Sequence, residues 1–134
     1  MDDSRLSTLC PDLDAAICSA PHDRRLQAAW AAAQWAIHHT GLSHPAISAA
    51  NIGGPTAAIA ALVGELDDQY FELQELCDEG ECSKEKVLAA FGRARAANAL
   101  EFAVRGEAAE AVYEAAVCCD DVSDLRRAVA EALR

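Results

Sequence analysis

The sequence predicts an all-α protein, folded as a single-domain bundle of five to seven mostly antiparallel helices over residues 1–134. Large apolar residues recur every three or four positions through most of the chain, which is the period of one helix face. The composition is 52% apolar and rich in alanine, a strong helix former, with only 5% aromatic residues. No run of β-branched residues alternates with polar ones, as a half-buried strand would require.

The chain begins with a weakly patterned segment. Residues 1–10 are interpreted as a loose N-terminal segment, because Pro11 interrupts the rough helical spacing of the leucines before it. Proline is tolerated in the first turn of a helix, where its missing N–H would have had no partner. A short helix is therefore predicted over residues 11–19, followed by a turn at Pro21 and His22.

The segment from Asp23 to Gly41 is predicted to be the central helix, and it holds both tryptophans. Asp23 suits the N-cap or the first turn, and Gly41 suits the left-handed position after the last turn. Leu26, Trp30 and Ile37 fall within about 60° of one another on a helix. We therefore expect these three residues to face the core.

Trp35 does not belong to that stripe. It lies five residues after Trp30 and so points about 140° away from it, toward the side of Arg24 and His39. The central helix therefore either lies between other helices or presents an aromatic ring to something outside the chain.

Local signals predict the next two helices. Ser43 or His44 is expected to cap a short helix with Pro45 in its first turn, and this helix ends at the glycine pair 53–54. Apolar residues then recur at helical spacing from Pro55 to about residue 77. Gly64 is a candidate break within that helix, because a glycine costs about 1 kcal/mol relative to alanine.

Three more helices complete the prediction. Ser83 is expected to cap a helix that runs to about Arg105 and stops at Gly106. Its apolar stripe includes Asn98, whose amide is expected to bond a loop backbone, since a buried unpaired amide costs about 1–3 kcal/mol. Two short helices follow over residues 107–118 and 123–133, the second capped by Ser123.

A few large residues are expected to form the core, because alanine buries little area per residue. They are Leu26, Trp30, Ile37, Leu62, Leu66, Phe71, Leu73, Leu88, Phe91 and Phe102.

The net charge of −11 limits the classes of partner. Such a charge repels nucleic acid and anionic membranes and favours basic partners. The N-terminus starts acidic and lacks the apolar stretch of a signal peptide, which predicts a cytoplasmic protein. Its six cysteines are then expected to be reduced thiols.

No spacing of residues predicts a metal site or a cofactor. The segment 67–72 resembles the aspartate-rich Mg²⁺ motif of terpene synthases, but a solvated acidic helix face explains it better. His38 and His39 would point about 100° apart on a helix, so they cannot easily share one metal. The phosphate-binding glycine loop and the nucleophile elbow of hydrolases are also missing from the sequence.

The cysteine spacing does not predict catalysis either. Four residues separate Cys77 from Cys82, and Cys118 and Cys119 are adjacent. Neither pair therefore has the Cys-x-x-Cys spacing of redox or zinc motifs. The aspartates that follow Cys119 would disfavour its thiolate by like charge. We therefore predict a protein that is not an enzyme.

Two alanine-rich runs carry a family resemblance. Residues 24–35, RRLQAAWAAAQW, and residues 89–99, AAFGRARAANA, resemble helices of an alanine-rich bacterial family assigned as immunity proteins. The resemblance implies an all-helical protein that is encoded beside a toxin and acts by covering it. It implies no catalytic residues.

The first functional hypothesis is a non-enzymatic cytoplasmic immunity protein that blocks a basic protein partner through an acidic surface. Exposed aromatic residues tend to supply the binding energy of such interfaces. The candidate binding residues are Trp35, His39, Arg24, Tyr70, Glu72 and Asp68. The alternative is a small-molecule-binding accessory protein of a biosynthetic pathway. Its pocket would be lined by Trp30, Trp35, His38, Asn98 and Phe102.

Overall fold

The computed structural model describes residues 4–134, which form helices and the turns between them. The helices are α1 (Arg5–Leu9), α2 (Pro11–Ser19), α3 (His22–Thr40), α4 (Pro45–Ser48), α5 (Ala57–Asp78), α6 (Lys84–Val104), α7 (Ala108–Ala116) and α8 (Ser123–Leu133). No strand occurs among these residues, which confirms the all-α prediction. The expected number of five to seven helices is slightly too low for the same residues. None of the described helices combines the length and apolarity needed to cross a membrane.

The N-terminal segment is ordered from residue 4 onward, so its interpretation as loose is wrong for residues 4–10. The Ser4 hydroxyl accepts from the Ser7 amide at 3.1 Å and donates to Asp14 Oδ1 at 2.7 Å. Leu6 and Cys10 are buried in the core. The buried side chains of Leu6 and Cys10 hold α1 against the rest of the chain. The prediction for residues 1–3 lies outside the described residues.

The central position of α3 is confirmed, because this helix packs against α6, α7 and α8. Gly41 ends it in the left-handed conformation, with φ of 69°. The buried side of α3 consists mostly of alanine, a side chain small enough for neighbouring helices to approach closely. Its members are Ala28, Ala29, Ala32, Ala33, Ala36 and Ile37.

The two tryptophans lie at the margins of this alanine surface. Trp30 and Leu26 are half-buried rather than fully in the core, so the predicted rotation of α3 is only partly correct. Trp35 is also half-buried and packs against the core cluster. The helix therefore lies between other helices and still exposes part of both indoles.

The helix ends that depend on local signals follow the prediction. His44 caps α4, its Nδ1 accepting from the Ala46 amide at 3.0 Å. Ser83 caps α6, its hydroxyl accepting from the Lys86 amide at 3.3 Å. Gly64 does not divide α5, which continues through it to Asp78.

The cap of α8 differs from the prediction. Ser123 is the first helical residue, and the N-cap is Val122, whose side chain makes no capping hydrogen bond. The side chain of Asp121, one residue earlier, binds Ser123 instead. Asp121 Oδ1 accepts from the Ser123 amide at 2.9 Å and from its hydroxyl at 2.7 Å. Aspartate favours this local turn because its short carboxylate reaches the backbone two residues on.

The predicted core is partly correct. Ile37, Leu62 and Leu66 are buried, but Phe71 and Leu88 are 61% and 65% exposed. The other predicted members are half-buried: Leu26, Trp30, Leu73, Phe91 and Phe102. Asn98 also differs from the prediction, since its amide donates to Ala94 O within α6 at 2.8 Å rather than to a loop.

A buried carboxylate joins four helices. Glu114 of α7 is 2% exposed and lies between Arg5 of α1, at 2.9 Å, and Arg95 of α6, at 3.1 Å. Arg95 also contacts Asp67 of α5 at 3.1 Å. Arg5 contacts Glu110 as well, and that hydrogen bond is the main reason that the pKa of Arg5 is raised. These pairs place the N-terminal helix and the α5–α6 pair around α7.

Candidate functional site

A cleft with a volume of about 510 Å³ lies where three elements meet. These are the last turns of α3, the first half of α6, and the link from α7 to α8. Its lining residues are Trp35, His39, Leu88, Phe91, Val117, Cys118, Cys119, Asp120, Asp121 and Asp124. The volume falls within the range of ligand sites in proteins, about 300–1,000 Å³. We call it the α3–α6 cleft.

Trp35 and His39 form one wall of the cleft, which we call the aromatic wall. They are four residues apart on α3, so their side chains lie one above the other on the same face. Their rings stack with centroids 4.7 Å apart and an interplanar angle of 11°. The close approach of α3 and α6 continues just beyond, where a Cβ on Gly92 would lie 3.3 Å from Thr40 Cγ2. A Cβ at position 92 would therefore require Thr40 to shift by a few tenths of an ångström.

Leu88 and Phe91 supply the apolar side of the cleft from α6. Leu88 is an exposed leucine, and Phe91 is half-buried. Beyond Phe91 the aromatic surface continues onto α5, since Tyr70 lies 5.4 Å from the Phe91 ring and 5.3 Å from the Phe71 ring. An apolar strip therefore runs from the cleft across α6 to α5.

Three aspartates form the acidic rim, which we define as Asp120, Asp121 and Asp124. The first two stand in the α7–α8 link and the third in the first turn of α8. The two hydrogen bonds from Ser123 lower the pKa of Asp121, so this carboxylate stays ionised. Both bonds end on Oδ1. The rim therefore places negative charge beside exposed apolar side chains.

The two cysteines of the cleft are neutral thiols. Burial, with smaller effects from Cys119 and Glu114, raises the pKa of Cys118 to about 12. Its sulfur also donates to Glu114 O at 3.3 Å. Burial is likewise the main cause that raises the pKa of Cys119, and Asp120 and Asp121 add to it as the sequence predicted. Neither sulfur has the ionised character that a cysteine nucleophile needs.

The cysteines are expected to differ in their rates of alkylation. All six cysteines are unbridged, and Cys18 is exposed. In the native protein near pH 8, Cys18 should react with iodoacetamide at least about a hundredfold faster than Cys118, because the thiolate is the reactive species. Mass spectrometry of a time course gives both rates. Faster labelling of Cys118 would mean that the cleft holds an activated thiol.

The structure brings together only some of the predicted binding residues. Trp35 and His39 meet in the α3–α6 cleft. Arg24 is exposed but lies eleven residues before Trp35 on α3, which is about 16 Å along the axis. Arg24 therefore points to the same side of α3 as Trp35 but lies about three turns away, outside the cleft.

The predicted residues of α5 lie outside the cleft. Tyr70 is half-buried and lines a neighbouring groove of about 260 Å³, to which Leu88 and Phe91 also contribute. Asp68 and Glu72 are exposed and line none of the described clefts. Tyr70 thus joins the apolar strip, whereas the two acids form part of the solvated face of α5.

The pocket of the small-molecule hypothesis does not form as predicted. Of its five residues, only Trp35 lines the α3–α6 cleft. His38 is exposed, and the Asn98 amide is engaged within its own helix. Among residues 4–134, no three His, Cys, Asp or Glu side chains converge in a way that could hold a metal ion.

Sequence reasoning missed the acidic rim and misassigned Leu88 and Phe91 to the core. One signal was present, because Asp120 and Asp121 stand between two predicted short helices, and loops held by a rigid scaffold often carry function.

Comparisons with family models, curated proteins and solved structures found no match to this chain. Its function is therefore inferred from the geometry of the cleft.

Proposed function

We propose that this chain is a non-enzymatic cytoplasmic protein that binds and blocks a basic protein partner, as an immunity protein does. The observation that carries the proposal is the α3–α6 cleft, in which exposed apolar side chains stand beside three carboxylates. A basic protein segment offers both complements, an apolar surface and positive charge. Blocking would be steric, since this chain would cover the partner's working surface and exclude the partner's substrate.

The apolar part of the cleft supports stable binding. Leu88 is 65% exposed, so a partner would remove most of its side chain from water. Aromatic residues such as Trp35 and Phe91 give large contact area with few rotatable bonds, and they are enriched where binding energy concentrates. Tyr70 and Phe71 extend the same surface onto α5.

The charge supports selectivity for a basic partner. The whole chain carries −11, and the rim adds a local cluster of negative charge next to the aromatic wall. Complementary potentials speed association and reject partners of like charge. The acidic face of α5, which includes Asp68 and Glu72, strengthens the field at longer range.

The cleft chemistry supports binding rather than catalysis. Its Cys118 thiol is held neutral by burial, and its carboxylates stand at the rim in contact with water. The six unbridged cysteines agree with a reducing compartment.

The proposal is tested by producing this chain together with each protein encoded beside its gene. We expect one such product to be basic, to inhibit growth when produced alone, and to form a complex in which that inhibition is relieved. Complex formation is measured by calorimetry with the purified proteins. If none of these products binds, the immunity proposal is contradicted.

Leu88→Ala is the sharpest variant for locating the interface. Trp35 is half-buried, so replacing it would mix a loss of packing with a loss of binding. Leu88→Ala should weaken the complex by about 1.5 kcal/mol, roughly tenfold, since burying a leucine contributes about 1.5–3 kcal/mol. Leu9→Ala is the matched control, because Leu9 is 48% exposed on α1 and does not line the cleft. Equal effects of the two substitutions would place the interface elsewhere.

A further inference from the structure

We infer that the α3–α6 cleft receives an arginine side chain of the partner, with the guanidinium against the aromatic wall and its N–H groups on the acidic rim. This inference rests on the proposed function and states which chemistry of a basic partner the cleft recognises. Both complements of a guanidinium, a π surface and carboxylate acceptors, line this one cleft.

The aromatic wall fits a planar cation. Guanidinium groups are attracted to the faces of aromatic rings, most strongly to tryptophan. The chain already uses this contact internally, since Arg95 Cζ lies 5.7 Å from the Phe91 centroid and Arg5 Cζ lies 4.2 Å from the Tyr113 centroid. In the cleft, His39 stacks on one face of the Trp35 ring, so the remaining surface of Trp35 and the part of the Phe91 ring that lines the cleft provide a contact of the same kind.

The rim supplies the acceptors. Asp121 uses only Oδ1 for its two bonds to Ser123, which leaves Oδ2 for a ligand, and those bonds fix the carboxylate in place. Asp124 contacts Arg127 at 3.3 Å, but both side chains of that pair are more than 70% exposed. Such exposed pairs are weak, so an incoming guanidinium can compete for Asp124. Asp120 is exposed and adds a third negative charge.

This combination favours arginine over lysine. The guanidinium is planar, stacks on aromatic faces, and donates several N–H bonds in a fixed fork that matches carboxylates. The ammonium of lysine is a compact, strongly hydrated charge and gains less from a stacked position. Citrulline keeps the shape of arginine but has no charge, so it separates shape from electrostatics.

The test uses three short peptides, acetyl-Gly-Arg-Gly-amide and its lysine and citrulline counterparts. The two tryptophans give two indole N–H signals in a ¹H–¹⁵N NMR spectrum, and Trp35→Phe assigns them. We expect the arginine peptide to shift the Trp35 signal in a saturable way and to leave the Trp30 signal unmoved. The citrulline peptide should bind at least about tenfold more weakly, and the lysine peptide should be weaker than arginine.

Matched variants connect the result to the rim. Asp124→Asn should weaken arginine binding severalfold, whereas Glu131→Gln, which removes an exposed carboxylate of α8 outside the cleft, should not. Equal binding of arginine and citrulline, equal shifts of both indoles, or an equal effect of the two variants would overturn the inference. If a basic partner is neutralised yet the arginine peptide fails to bind, the arginine assignment is wrong and the proposed function stands. If the arginine peptide binds the cleft but no neighbouring product binds the chain, the arginine assignment stands and the proposed immunity function is wrong.

Discussion

Glu114→Ala is expected to destabilise the protein by about 3 kcal/mol or more. The carboxylate is 2% exposed and is shared by Arg5 and Arg95, so its removal leaves two guanidinium groups without their common partner. Arg5 keeps Glu110 and Arg95 keeps Asp67, but the N–H groups that faced Glu114 lose their acceptor at a buried position, and this loss costs more than the pair itself contributes. Urea unfolding followed by circular dichroism gives the free energy of unfolding.

The control for this prediction removes a carboxylate from the surface. Asp124 pairs with Arg127, and both side chains are more than 70% exposed. Asp124→Asn should therefore change stability by less than about 0.5 kcal/mol. If Glu114→Ala costs no more than this control, Arg5 and Arg95 are well solvated without Glu114, and the network does not hold α1 and α6 on α7.

The helices could be predicted from the sequence because their ends are set by neighbouring residues. Gly41 supplies a left-handed turn, Ser83 a hydroxyl cap, and His44 a ring nitrogen within two residues of the amide that it accepts from. Such signals require no knowledge of the rest of the fold. The short helix α1 also has a local cap, Ser4, but a helix of five residues depends in addition on the distant contacts of Leu6 and Arg5, which the sequence does not reveal.

The rotation of each helix was harder to predict. Alanine occurs on nearly every side of α3 and α6, and it does not distinguish a buried face from an exposed one by size or polarity. The stripe chosen for α6 therefore followed its largest side chains, including Leu88 and Phe91. In the structure these two residues form the candidate site instead of the core.

Only half of the candidate site could be predicted from the sequence, because only that half depends on residues that are close together in the chain. Trp35 and His39 are neighbours on one helix, so their stacking follows from a spacing of four residues. The acidic rim reaches them only through the packing of α7 and α8 on α3. No local pattern relates Asp121 to a tryptophan 86 residues earlier in the chain.

The rotation of α6 places Leu100 in the core, so Leu100→Ala is expected to be strongly destabilising. This residue is fully buried, whereas Leu88 on the same helix is 65% exposed. The two lie twelve residues apart, so their side chains point about 120° away from each other. Leu100→Ala should cost about 3–5 kcal/mol, since it removes fully buried methyl groups and leaves a cavity in the core.

Leu88→Ala is the matched control, because it makes the same chemical change on the same helix. It should alter the free energy of unfolding by less than about 0.5 kcal/mol, since the side chain is already largely in water. Both values come from urea unfolding of the two variants under the same conditions. A large cost for Leu88→Ala with a small one for Leu100→Ala would mean that α6 presents the opposite face to the core. Leu88 would then be a packing residue, and the α3–α6 cleft would lose the exposed leucine on which the proposed interface depends.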